Sequence, residues 1–391
     1  MSHTPLHIGF DAKRIVRNGT GLGAYGRTLV NDLSKYPLTL RLYAPNEGRP
    51  ELRQQVSDCE NIIFSVRKHR FLGEKTPFSA LGDAYWRSRN IVKDLKRDGI
   101  QLYHGLSGEL PWGIRQCGIP SVVTIHDLIF LRHPEFYKPI DVKLYTWKFR
   151  QTLKEASHII AISECTRRDI IEYGQVPEQK ISLIYQSCAQ RFSASTDEAL
   201  MQQVAKHYQL PQRYILNVGS IEARKNILLA VQALPHLPAD VSLVIIGRHT
   251  PYTDKVMAYV QQHQLQQRVH ILHGVPDEHL PALYAMAEAF VYPSVYEGFG
   301  IPIIEAIRCG LPVVACTGSC LEEAGGPDSI YVAPTDIMGM ADAIRRSLRG
   351  ADNREARIER SQAYIRRFEG NDVAGQVYEL YQRIISSTSS E

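Results

Sequence analysis

No apolar run in this chain of 391 residues approaches the ~20 residues that a membrane-spanning helix requires. The opening stretch Met1-Ser-His-Thr-Pro-Leu-His7 also lacks the basic start and apolar core of a secretory signal. A spanning or secreted protein is therefore not expected, and a cytoplasmic one is. Cysteine is sparse, seven residues, an odd number with no C-x-x-C pair, which suits a reducing compartment better than a disulfide framework. Cys316-x3-Cys320 has no second Cys/His pair near it in sequence, so no zinc site is expected. What is present, 44% hydrophobic and 22% charged residues, is the composition of a soluble globular protein. The length fits two domains of about 150–200 residues.

The net charge of +4 is unevenly placed: residues 1–190 carry an excess of eight cations and residues 191–391 an excess of four anions. Much of the basic excess lies in Arg67-Lys-His-Arg70 and in the mixed aromatic and basic stretch Trp86–Arg97. A solvated helix face explains such a stretch. So does a surface for an anionic membrane or a diphospholipid-linked acceptor.

The chain is organised around residues 289–315, which read strand, loop, helix, strand. Ala289-Phe-Val-Tyr292 and the run 311–315 show no polar alternation, as in strands buried on both faces of a parallel sheet. Pro302 suits the first position of the intervening helix and Gly310 the residue just past its end. The helix N-terminus, with its free amides and positive dipole end, follows directly on Glu297-Gly-Phe-Gly300, an arrangement that binds anions. Glu297 and Glu305 flank it. A carboxylate beside a bound diphosphate would repel it, so both are expected to meet neutral hydroxyl groups of a sugar or ribose. Gly298 and Gly300 allow close backbone approach, and Phe299 between them is expected to be exposed.

With these residues in view, Glu297-x7-Glu305 within YEGFGIPIIEA, followed by GLPVVA, resembles the signature of the retaining nucleotide-sugar glycosyltransferases of the GT-B fold, family-four type, the group 1 glycosyltransferases. The resemblance implies that Glu297 holds hydroxyls of the donor sugar, that Glu305 binds the ribose, and that the backbone at Phe299, Gly300 and Ile301 meets sugar and diphosphate. It extends along the chain. Gly219-Ser-Ile-Glu-Ala-Arg-Lys-Asn226 resembles the family's diphosphate clamp with Arg224 and Lys225 as its cations, although many members have Arg where this chain has Ser220. The run Ser121–Asp127 ends in His126-Asp127, similar to the T-x-H-D whose His stabilises charge at the anomeric carbon. The end of the run 269–275, at Val275, resembles the place where the base stacks.

Gly21-x-Gly23-x-x-Gly26 matches the dinucleotide fingerprint in form, but it comes some ten residues after the strand 6–10, and the next strand, 38–43, ends in Ala-Pro rather than an acid. A dehydrogenase is therefore excluded. Residues 11–26 are expected as a long turn into a helix at 27–33, with Gly23 closest to the donor. Ser163 is expected to cap a helix.

The expected architecture is α/β, GT-B, with two Rossmann-like doubly wound domains and a cleft between them: an N-terminal acceptor domain 1–190, a linker 191–212, a donor domain 213–372, and a helix 373–391 crossing back. No Asp-x-Asp triplet occurs, so no metal and no cofactor are expected, and phosphate charge falls to Arg224, Lys225 and the helix at Pro302. The expected partners are a nucleoside-diphosphate sugar and a saccharide or lipid-linked acceptor, with possible peripheral membrane contact and no nucleic acid. The Arg-Lys turn leans toward mannose over glucose. An epimerase of the same architecture and an inactive sugar-nucleotide-binding protein are the rival readings.

Overall fold

Runs rich in Val, Ile and Leu without polar alternation become strands of two sheets, and all strand pairings among the described residues are parallel. The computed structural model describes residues 5–67, 77–192 and 197–388. The chain divides into two units, one of residues 1–186 with 372–391 and one of 187–371.

The first unit holds β1 (Leu6–Asp11), β2 (Leu38–Ala44), β3 (Ile62–Val66), β4 (Leu102–Gly105), β5 (Ser121–Ile125), β6 (His158–Ala161) and β7 (Ile181–Leu183), in the order β3-β2-β1-β4-β5-β6-β7. β1 lies against β2 in register from Leu6 with Leu38 to Asp11 with Tyr43, and against β4 on its other side. Both faces are covered. Ile8, Phe10, Leu40 and Leu42 pack with the helices Gly21–Leu33 and Val373–Thr388, while Tyr103, Val123 and Ile159 pack with Ile91, Leu95 and Phe149. Tyr381 of the C-terminal helix reaches the sheet itself, its hydroxyl 2.6 Å from His104 Nδ1, and His104 Nε2 lies 2.8 Å from Thr124 Oγ1. Burial drives the His104 pKa down to about 3, so this imidazole is neutral.

The second unit holds β8 (Arg213–Val218), β9 (Val241–Ile246), β10 (Val269–Leu272), β11 (Ala289–Tyr292), β12 (Val313–Cys316) and β13 (Ile330–Val332), in the order β10-β9-β8-β11-β12-β13. Strand order reverses between β1 and β4 in one unit and between β8 and β11 in the other. Doubly wound sheets bind ligands at the carboxyl ends of the strands at such a reversal.

Two stretches differ from expectation. Residues 191–212 are not plain linker: the chain leaves the first unit after Gln186, and Glu198–Tyr208 is a helix of the second unit, capped by Asp197, with Val204 fully buried. Residues 11–26 are not one long turn. Lys13–Arg17 is a short helix held by buried Ile15 and Val16, and the next helix begins at Gly21. A Cβ at Gly23 would overlap the Asn18 carbonyl oxygen, so the two short helices pack backbone to backbone and this glycine serves that packing.

Candidate active site

The carboxyl ends of β8 and β11 carry the chemistry of the second unit. After β8 the chain makes a tight turn, Ala223–Lys225, closed by Asn226 at φ 52°, and starts the helix Ile227–Ala233. After β11 it runs through Pro293 to Gly300. The two connections are stitched together: Val295 N–H donates to the Arg224 carbonyl at 2.9 Å, and Arg224 Nη1 donates to the Tyr296 carbonyl at 2.7 Å. The structure thus brings Arg224, Lys225 and Glu297 into one cluster.

Glu297 is buried, and three partners converge on its Oε1: Arg224 Nη1 at 2.9 Å, Lys225 Nζ at 2.6 Å and the Tyr292 hydroxyl at 3.5 Å. Burial pushes the carboxyl up, but Lys225 and Arg224 together outweigh it and hold its pKa below the ordinary range. Ser294 adds to that depression, although its buried hydroxyl falls outside hydrogen-bond geometry. Lys225 is held in its charged form: burial opposes the charge, Glu297 favours it more, and the net shift is upward. Its ammonium also donates to the Tyr292 hydroxyl at 2.6 Å and lies 4.9 Å from that ring's centroid. The two cations stand side by side at the strand ends, the chemistry that a diphosphate site requires, with half-exposed Glu222 3.9 Å from Arg224 Nη2 as a second, looser counter-charge. The expectation that Glu297 faces only neutral hydroxyls needs correcting, because its first partners are the clamp cations.

The helix Ile301–Arg308 begins as its sequence suggests, with Gly300 as N-cap and Pro302 in the first turn. Gly300 sits at φ 124°, a conformation open to glycine, with Ala324 and Leu321 pressing on the place of a Cβ. Pro302 has no N–H and Ile303 N–H donates to the Gly300 carbonyl at 2.9 Å, so it is the Ile301 amide that the helix start offers, directly after the Glu297 loop. Phe299 corrects an expectation. It is 3% exposed and meets Phe368 edge-on at 5.3 Å, so its side chain anchors the loop in the core of the unit. Glu305, half-buried, accepts from the Tyr284 hydroxyl at 3.0 Å, and burial raises its pKa to about 7. Val275 lies three residues beyond the end of β10, half-buried, after Gly274 at φ 64°.

In the first unit His126 and Asp127 stand just past β5. His126 Nε2 is 2.9 Å from the Leu106 carbonyl and therefore carries the proton, while Nδ1 accepts from Gln186 Nε2 at 3.0 Å. Burial lowers its pKa to about 4, and the ring meets Tyr25 edge-on at 4.8 Å. Asp127 Oδ1 accepts from Ile129 N–H at 3.2 Å, shaping the turn that follows. Ser163 caps its helix, accepting from Thr166 N–H at 3.0 Å. The stretch Trp86–Arg97 is divided: Arg89, Lys93 and Lys96 are exposed, while its other aromatic and basic residues are engaged within the unit. Trp86 is buried with its Nε1–H donating to Asp94 at 2.8 Å, Arg87 pairs with Asp11 and Glu109, and Arg97 pairs with Asp94 and Asp98. Arg67 pairs with Asp83; Lys68, His69 and Arg70 lie outside the described residues.

Several site residues escaped sequence reasoning. Tyr292 ends a strand that reads as uniformly apolar, and Tyr284 sits in a helix with no motif around it. Gln186 occupies a position where no contact was expected, yet it fixes the His126 tautomer. Cys320, fully buried, places its thiol 3.1 Å from the Glu297 carbonyl and 2.6 Å from that of Phe299, so the cysteine braces the loop. Only Tyr292, one residue before Pro293 at a strand end, carried a usable signal.

The family described as Glycosyl transferases group 1 matches residues 202–364, and that described as Glycosyltransferase Family 4 matches residues 19–187. The O-antigen chain mannosyltransferase B of Escherichia coli is 30% identical over 285 residues, covering 72% of this chain and 74% of that protein. The serotype-specific mannosyltransferase WbdA of Escherichia coli is 28% identical over 87% of this chain, which spans only 43% of that longer protein. Among solved structures, HepE of Anabaena in complex with UDP and glucose aligns over 97% of this chain and 100% of its own, with a TM-score of 0.74 at 18% identity. Its fold is shared. Two doubly wound units, a paired Arg-Lys turn and Glu297-x7-Glu305 at a strand reversal, together with these matches, make the chain a GT-B enzyme that belongs to the group 1 glycosyltransferases.

Proposed function

We propose that the enzyme transfers a hexosyl group, mannose before glucose, from a nucleoside-diphosphate sugar to a saccharide or lipid-linked saccharide in surface-polysaccharide assembly, with retention of anomeric configuration, on the cytoplasmic side. The observation that carries the reading is the buried Arg224–Lys225–Glu297 cluster at the β8/β11 reversal. In it the cations take the diphosphate and Glu297 takes sugar hydroxyls. The amides at Gly300 and Ile301 add to the phosphate site, Glu305 takes the ribose, and the backbone near Val275 the base. His126, kept neutral by burial, can face a developing cationic sugar without opposing it. Retention follows from front-face attack, in which the acceptor proton passes to the departing phosphate oxygen as the C–O bond to phosphate breaks and the new glycosidic bond forms. Mannose is supported by the names of the relatives, and no metal is required because phosphate charge is met by side chains and amides.

The test is Glu297→Gln. The variant is expected to lose at least about 100-fold in turnover while nucleoside diphosphate still binds, because the lost interaction strengthens in the transition state. Wild-type transfer by the variant, across a panel of GDP- and UDP-hexoses, would overturn the assignment.

A further inference from the structure

Large apolar side chains on the surface of this protein are gathered in one place. Seven are exposed among the described residues, and six of them, Leu81, Tyr85, Ile140, Leu144, Tyr145 and Trp147, belong to two helical stretches of the first unit. On the helix Pro139–Glu155, Ile140, Leu144 and Trp147 are spaced four and three apart, hence on one face, at 71%, 45% and 44% exposure. Lys143, Arg150 and Lys154 share that face, Lys138 precedes it, and all four are exposed. None of the helix's exposed residues is acidic. Asp141 is half-buried, and Glu155 turns away to accept from the amides of Gly113 and Arg115 at 2.8 and 3.2 Å.

The patch continues across Trp112, whose ring meets Trp147 edge-on at 5.2 Å and carries the Arg89 guanidinium at 5.7 Å. Trp112 N–H also donates to the Ser88 carbonyl at 2.7 Å. Arg89, Tyr85 and Leu81, spaced four apart, extend the surface along the neighbouring helical stretch. The inner side of Pro139–Glu155 is fixed. Phe149 is buried, Thr152 Oγ1 donates to the Gly108 carbonyl at 3.2 Å, and Lys148 pairs at 2.9 Å with Glu109, which shares Arg87 with Asp11 at the end of β1. The helix is therefore held against the carboxyl end of the sheet, the end at which His126 stands.

We propose that this face docks peripherally on an anionic lipid bilayer, with Ile140, Leu144, Trp147, Leu81 and Tyr85 entering the acyl boundary and the flanking cations lying among headgroups. A helix with Trp and Leu on the same exposed surface as Lys and Arg is the pattern of an interfacial helix. A soluble polyanion would satisfy the cations but leave Ile140 and Leu144 in water. A two-fold contact with a second copy would set a face with no exposed acid against itself. The docking surface stands apart from the catalytic reading, since its test measures lipid binding and not transfer.

Flotation of the intact protein with phosphatidylglycerol–phosphatidylcholine vesicles and with phosphatidylcholine alone, at low and high salt, decides the matter. Binding is expected only to the anionic vesicles, and high salt should release it. Lys143→Gln with Arg150→Gln should weaken partitioning about 25-fold, two cations at about fivefold each. Leu144→Ser with Trp147→Ser should weaken it by a comparable factor even at low salt. All four positions are exposed, so an unchanged circular dichroism spectrum is the check on folding. Equal partitioning to both lipids at low salt, or wild-type binding by both variants, would overturn the proposal. So would a dimer in light scattering that Trp147→Glu dissolves, which would assign the face to a second copy.

Discussion

Replacing Lys225 by Ala removes one of two cations from a buried carboxylate and, on the proposed reading, one of two from the diphosphate. A charge-assisted hydrogen bond to phosphate contributes ~1.5–3 kcal/mol, so nucleoside diphosphate should bind about 10- to 150-fold more weakly. The same change costs stability. Removing one partner of a buried ion pair costs ~3–5 kcal/mol when nothing replaces it. Here Arg224 remains 2.9 Å from Glu297 Oε1, so the lower figure of ~1–3 kcal/mol is expected. The pH dependence follows with a definite sign. The depressed Glu297 pKa contributes stability that is present above the unfolded carboxylate value and lost as pH falls through the folded one. Without Lys225 the folded value rises and the stability contributed by the pair shrinks, most of all above the carboxylate range. Isothermal calorimetry with GDP and UDP, and urea unfolding at neutral and mildly acidic pH, measure both effects. Tyr292→Phe is the control: it removes a hydroxyl 2.6 Å from Lys225 Nζ without removing charge and should cost about 1 kcal/mol or less in nucleotide binding. If Lys225→Ala loses stability but binds nucleoside diphosphate as wild type does, Lys225 is only a counter-charge to Glu297 and the clamp is wrong.

Glu305, raised to about 7 by burial, destabilises the fold once ionised: its stability is fully present below the unfolded carboxylate pKa and lost as pH rises through 7. Glu305→Gln should therefore flatten stability between about pH 4.5 and 8, gaining up to ~3 kcal/mol at the alkaline end, while weakening nucleotide most where wild-type Glu305 is charged; unfolding curves and calorimetry across that range would show both. His126, lowered to about 4, should contribute no inflection near its ordinary pKa to the pH profile of turnover, and His126→Ala should lower kcat more than it raises KM. A kcat profile with a His-like limb that His126→Ala abolishes would contradict the buried, neutral imidazole. Transfer is expected to survive EDTA at unchanged rate, and loss restored by a divalent cation would refute charge neutralisation by Arg224, Lys225 and helix amides alone.

What could be read along the chain was whatever local periodicity and punctuation encode. Unbroken apolar runs such as Ala289–Tyr292 and Val241–Ile246 announce strands buried on both faces, and Pro302 and Gly310 bracket a helix, because dihedral preference and two-sided burial act on neighbouring residues. Motif spacing placed Arg224, Lys225 and Glu297 at strand ends, and each of them stands there. Tertiary structure alone decided what those side chains touch. Glu297 pairs with two cations 72 and 73 residues away in sequence, and no local signal encodes a contact made by sheet order. Phe299 turned inward because Phe368, on another segment, supplies a surface for it. The Gly-rich stretch became two helices because packing between their backbones, not turn chemistry, used Gly23. The basic segment at Trp86 was divided by the fold, Arg87 and Arg97 going into ion pairs with Asp11, Glu109 and Asp98 while Arg89, Lys93 and Lys96 stay exposed, and the amphipathic helix at Pro139–Glu155 kept its apolar stripe exposed. Composition and pattern say which residues can be buried or charged. Which of them are neutralised and which reach water depends on neighbours that only the folded chain brings together.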